Sequence, residues 1–125
     1  MYSGFFVVRS KCTSPNFHMY WTAETDNNAF TLITPIIHPE NSPNLIYINC
    51  DGKVSTYNYR KGKALAFGTN FLHSTEPRQS DEKSVLLCFP FGTDKIEHWP
   101  AISKTAETQG NLLRLPDGNF RVRDL

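Results

Sequence analysis

The chain has 125 residues, 20% of them charged and 39% hydrophobic, with a formal net charge of +1. That length suits one ordinary domain and is short for two, and the composition is that of a folded globule rather than a solvated tail. A charge so near zero supplies no attraction for nucleic acid or an anionic membrane, and no apolar run approaches the roughly 20 residues that span a bilayer.

The opening stretch, MYSGFFVVRSKC, has neither a basic leader nor a long apolar run, so no secretory signal is expected. The three cysteines, Cys12, Cys50 and Cys88, are odd in number and form no CxxC pair. Neither a disulfide framework nor a zinc ribbon is favoured, and reduced, partly buried thiols in a cytoplasmic protein are expected.

In chain order, FFVVRS (5–10) and FHMYWTAE (17–24) read as aromatic-rich strands, and TDNN (25–28) as a turn. AFTLITPII (29–37) is the longest β-type run, and HPENSPN (38–44) is a loop with two prolines. LIYINC (45–50), Asp51-Gly52 and KVSTYNY (53–59) read as a hairpin, because Asp-Gly supplies the positive φ of a tight turn. KALAFG (63–68), FLHST (71–75) and SVLLCFPF (84–91) follow as strands, with 76–83 as a charged loop before the last. TDKIEHWP (93–100) reads as one helical turn with Asp94 as cap and Pro100 as stop. A second short helix is expected within 103–115, broken by Gly110, and Pro116-Asp117-Gly118 is a turn. Many short strands with turns between them predict an all-β barrel or sandwich in a single domain.

The chemistry-bearing residues concentrate around FGTNFLHSTEP (67–77). His73 shares a strand face with Phe71 and Thr75. Lys83 stands ten positions later and shares parity with Val85, Leu87 and Phe89, which predicts that it faces inward at the mouth of the barrel. A buried lysine needs an anionic partner, because its desolvation is otherwise too costly.

The segment GKALAF-x3-FLHSTEP…KSVLLCF, residues 60–91, resembles the second half of the double-stranded β-helix in Fe(II)/2-oxoglutarate dioxygenases, the prolyl 4-hydroxylase type above all. Cupins share that fold and also place a glycine eleven residues before a histidine, as Gly62 stands before His73. The resemblance implies a jelly-roll fold and an oxygenase, most simply a hydroxylase, using Fe(II) and 2-oxoglutarate. It makes His73 the downstream iron ligand and Lys83 the partner of the distal carboxylate of 2-oxoglutarate. A hydroxyl from Tyr47, Thr31 or Thr34 would assist at that carboxylate.

The upstream ligand in that family lies in a His-x-Asp or His-x-Glu motif, four strands before the second histidine. Four predicted strands separate His18 from His73, and three separate His38 from His73. His18 therefore fits the architecture, and the resemblance implies a metal site of His18 and His73. Two residues after His18 stands Tyr20 in place of the carboxylate. A neutral phenol is a poor Fe(II) ligand, although some relatives work with two histidines alone. His38-Pro39-Glu40 supplies a His-x-Glu and is the minor assignment.

A binding module without catalysis, cupin-like and holding a small molecule or a metal, is the alternative reading, and Tyr20 favours it. A sugar-isomerase cupin would need an inward acid–base pair that the sequence does not present. His98 and the aromatics Trp21 and Trp99 are expected to be structural. The expected partners are a small-molecule or peptide substrate, with a homodimer suggested by exposed strand edges.

Overall fold

The structure, a computed structural model, describes residues 1–122. Among the described residues there are nine strands, one α-helix and two short 3₁₀ turns. The larger sheet holds β1 (Phe5–Cys12), β7 (Arg78–Gly92), β2 (Ala29–Ile37) and β5 (Leu65–Phe67), in that order. The smaller sheet holds β4 (Val54–Tyr57), β3 (Leu45–Ile48) and β6 (His73–Thr75). Every named pairing is antiparallel. Two sheets joined in this way make an all-β jelly roll of the cupin kind.

Alternation decides what each sheet buries. The inner face of the large sheet offers Ile33, Phe67, Leu86 and Cys88, which pack with Leu45 of the small sheet and with Tyr59. The outer face is also apolar. Phe6 lies opposite Leu87 and Val8 opposite Val85 across β1 and β7. Leu32 lies opposite Phe89 across β2 and β7, and the rings of Phe30 and Phe91 stack 5.8 Å apart.

The Asp51-Gly52 hairpin forms as its sequence predicts, joining β3 to β4 with Gly52 at φ 73°. Four strands, β2 to β5, separate His18 from β6. A second core cluster of Tyr2, Trp21, Ala29, Ile102, Ala106 and Leu113 seats helix α1 (Trp99–Gln109) against the end of the roll. Its central indole, Trp21, is fully buried and donates to Thr31 Oγ1 at 2.9 Å. Gly92 ends β7 where backbone is too close for any side chain: a Cβ there would lie 2.0 Å from the Asn28 carbonyl oxygen.

Three expectations are corrected. Residues 17–24 form no continuous strand; they touch the roll through isolated bridges at His18 and Trp21, and 23–28 wind into a 3₁₀ turn. The charged segment 76–83 is mostly strand, because β7 begins at Arg78 and its polar half pairs with Lys11 and Cys12. Pro100 starts a helix instead of stopping one. It stands in the first turn of α1, where its missing N–H costs nothing. That helix ends at Gly110, and the expected helical stretch beyond it is β8 (Leu112–Arg114), which turns through Pro116–Gly118 into β9 (Phe120–Val122).

Candidate metal and ligand site

His18 and His73 meet as a bridge between two backbone segments. Each N–H donates to the other's carbonyl, at 2.9 Å from His18 and 3.0 Å from His73. Residues paired this way project to the same side, so the two rings stand 4.6 Å apart between centroids. Both rings are oriented from behind by backbone. Nδ1 of His18 lies 2.7 Å from the Asn16 carbonyl, and Nδ1 of His73 lies 2.9 Å from the Phe71 carbonyl. A carbonyl only accepts, so each Nδ1 carries a proton and Nε2 is the nitrogen left to offer a lone pair. His73 is 3% exposed, and its Nε2 is buried without a hydrogen-bond partner.

Aromatic rings wall the pair. Tyr20 stands 5.2 Å from His18 and edge-on 4.8 Å from His73, while Phe67 and Phe71 flank His73 at 4.7 and 5.3 Å. Burial pulls the His73 pKa down from 6.5 to about 4, against the carbonyl of Phe71, and the nearby His18 lowers it further. Burial likewise holds the Tyr20 phenol protonated well beyond its ordinary range, with Cys88 adding to the rise and Arg9 opposing it. The Cys88 thiol is pushed up to about 12, again by burial. The site therefore presents a neutral His73 imidazole, a neutral phenol and a neutral thiol at ordinary pH.

A cavity of about 40 Å³ opens between the sheets beside these groups, with Arg9, Tyr59 and Ser84 also on its wall. A water needs ≳10–15 Å³, so the space has room for a few water-sized groups.

The donor set fits a divalent transition metal in part. Two imidazole nitrogens bound to one ion at roughly 2.1 Å would put their ring centroids roughly 4.7 Å apart at the right angle of an octahedral ion and roughly 5.3 Å apart at the tetrahedral angle; the 4.6 Å found here lies near the octahedral value. An orphaned, buried Nε2 is also the atom a metal would satisfy. The acidic ligand is missing: among the described residues no group of three or more His, Cys, Asp or Glu side chains gathers where a metal could be held.

The other predicted site residues lie elsewhere or are otherwise engaged. Lys83 is exposed, and the expectation that it faces inward is overturned: Ser84, Leu86 and Cys88 take the inner face and Lys83 the outer. Thr31 is fully buried and occupied by the Trp21 indole, and Thr34 donates to the Lys63 carbonyl. Tyr47 lies opposite His73 across β3 and β6, with its ring against Phe71.

The His38 alternative does not assemble. His38 Nε2 contacts Asn44 Oδ1 at 3.0 Å, and Glu40 is exposed. Asn44 also ties down this corner by accepting from the Tyr59 N–H and donating its own to Glu76. His98 pairs with neighbouring Glu97 on the surface.

Sequence reasoning missed Arg9. It follows Phe5 and Val7 on the inner face of β1, donates to Thr75 Oγ1 and reaches the cavity wall. The 5–7–9 alternation was the available signal.

No protein-family model matches the chain, and no curated protein matches it. Two solved structures are similar. One is a non-heme monooxygenase in a ThoJ–Ni complex, at TM-score 0.59 and 11% identity, covering 75% of this chain and 44% of that one. This chain therefore spans less than half the length of that monooxygenase. The other is named as a candidate mannose-6-phosphate isomerase from Ralstonia eutropha JMP134, at TM-score 0.43 and 15% identity, covering 68% of each chain. The first likeness is one of fold, and agrees with the jelly roll described above.

Proposed function

We propose that this chain is a metal-binding jelly-roll module built on a non-heme oxygenase plan, in which His18 and His73 hold one divalent transition ion through Nε2. The observation that carries this reading is the bridge pair itself: two rings 4.6 Å apart, each fixed through Nδ1, with the Nε2 of His73 buried and unpaired. Tyr20 occupies the corner where a carboxylate ligand would stand, and as a protonated phenol it donates little to a metal. The ion would supply Lewis acidity and open positions for an oxygen-donor ligand. The chain's own groups exclude bulk water through Phe67, Phe71 and Tyr20, and set the direction of both imidazole lone pairs. Calorimetric titration with Ni(II) or Mn(II) tests this. One ion per chain is expected, with affinity reduced at least tenfold by His18→Ala and by His73→Ala. No binding, or binding indifferent to both variants, contradicts it.

Arg9 favours a second reading, a hydroxylase using Fe(II) and 2-oxoglutarate. That chemistry needs a cation near the metal for the far carboxylate of the cosubstrate, and Arg9 is the cationic side chain on the cavity wall. A guanidinium meets a carboxylate with two parallel hydrogen bonds. Anaerobic titration of the metal-loaded protein with 2-oxoglutarate separates the readings. Metal-dependent binding supports the oxygenase, and its absence leaves the binding module.

A further inference from the structure

We infer that the outer face of the β1–β7–β2–β5 sheet is a self-association surface, and that its partner is a second copy of this chain.

An antiparallel sheet with one solvated face alternates apolar with polar residues, whereas strands apolar on both faces belong to sheets covered on both sides. Here both parities of β7 are apolar. Leu86, Cys88 and Pro90 point inward and are buried, while Val85, Leu87, Phe89 and Phe91 point outward and are half-buried. Beside them Phe6 is 65% exposed, Val8 55% and Ile37 49%. Gly4 and Gly68 continue the face, since a Cβ on either would touch the outward rings of Phe89 and Phe30 respectively.

The absence of charge argues for a second copy. From Gly4 to Val8 on β1 and from Val85 to Phe91 on β7, no outward position carries a charged side chain. A partner recognised through ion pairs would find nothing to pair with. A two-fold copy meets the same neutral surface, with no like charges opposed. Lys83 lies at one end of the face, so a two-fold axis through the centre sends the two lysines to opposite ends.

The size also suffices. Phe6, Val8 and Ile37 expose on the order of 300 Å², and the half-buried side chains beside them add about 200 Å². Two such faces bury about 1,000 Å², the size at which an interface between two copies becomes specific. A single apolar patch of that extent lies at the upper end of what monomers leave in water, the range in which such patches are often functional. Sheet-on-sheet packing at about 10 Å would seat it, as in a β-sandwich.

Sedimentation velocity and equilibrium on the wild-type chain, Phe6→Asp and Val8→Lys test this. The wild type is expected at twice the 14.3 kDa chain mass. Each variant is expected to raise the dissociation constant at least tenfold while its circular dichroism spectrum stays unchanged. Both sites are more than half exposed, so a charge is accepted in the monomer. A wild type that is monomeric at micromolar concentration overturns the inference. So does a dimer that both variants leave intact, which would place the contact on another surface. A monomer that floats with phosphatidylcholine vesicles assigns the face to lipid and equally overturns it. Metal binding at His18 and His73 is unaffected by any of these outcomes.

Discussion

His18 and His73 are bound to each other through their backbones and face each other through their rings. The two N–H···O bonds, 2.9 and 3.0 Å, fix the strand segments, and the 4.6 Å ring separation follows. A segment that is otherwise irregular is thereby registered against β6 at the one position where a second imidazole is useful.

The pair also sets a pH dependence in the metal-free protein. His73 has a pKa of about 4 when folded and 6.5 when unfolded. Between those values the unfolded chain binds the extra proton, so stability is complete above pH 6.5 and falls as pH drops toward 4. The loss attributable to this group is at most about 3 kcal/mol. Urea denaturation in the presence of a chelator, at pH 7.5 and pH 4.5, should show the wild type losing more stability than His73→Phe, whose ring suits the pocket beside Phe67 and Phe71. Equal losses would mean that His73 titrates normally in the folded protein.

In the proposed metal site, Tyr20 stands where a three-ligand centre would have a carboxylate. Tyr20→Asp replaces a protonated phenol by a carboxylate beside the two imidazoles. Ni(II) affinity should rise about tenfold or more, since carboxylate is a true ligand for such ions. An unchanged affinity would mean that position 20 does not face the ion.

Arg9 and Lys83 give opposite expectations for an anionic ligand. Arg9→Ala should weaken 2-oxoglutarate binding by the metal-loaded protein at least tenfold, as expected for loss of a charge-assisted contact. Lys83→Ala should leave it unchanged, because that side chain lies on the outer face. Equilibrium dialysis with labelled 2-oxoglutarate distinguishes them, and the reverse pattern would restore the lysine to the site.

Trp21 carries the second core. Trp21→Phe removes the indole N–H that Thr31 accepts and leaves a buried hydroxyl unpaired, together with a cavity. A loss of about 2–4 kcal/mol in chemical denaturation is expected. A loss below 1 kcal/mol, on the scale of a surface substitution, would mean that the corner repacks.

The fold was legible where turn chemistry and strand count were strong. Asp51-Gly52 placed a hairpin, and the number of strands between the histidines selected His18 over His38. The first rests on local backbone preference, and the second on the dioxygenase resemblance, which supplied the four-strand spacing that chain order then counted. The facing of Lys83 was not legible for a physical reason. Both parities of 84–91 are apolar, so alternation cannot tell the inner face from the outer. The polar half of β7 was hidden similarly, because Arg78 and Gln79 pair with Cys12 and Lys11 by backbone, across a register irregularity that an alternation reading does not show. Arg9 was masked by its neighbours, an outward Val8 and an inward Val7, which made the strand look uniformly apolar. Thr31 looked free to meet a ligand because nothing in the sequence reveals that an indole ten residues away takes its hydroxyl.

The most direct test of the central claim is nitrogen NMR of the two imidazoles, on ¹⁵N-histidine-labelled protein before and after Zn(II). Without metal, His73 should be neutral with its proton on Nδ1, and His18 should carry a proton on Nδ1. With one equivalent of Zn(II), the Nε2 resonances of His18 and His73 should shift together while both Nδ1 protons remain. A proton on Nε2 of His73 in the metal-free protein, or a metal-induced shift in neither ring, would contradict a shared metal site.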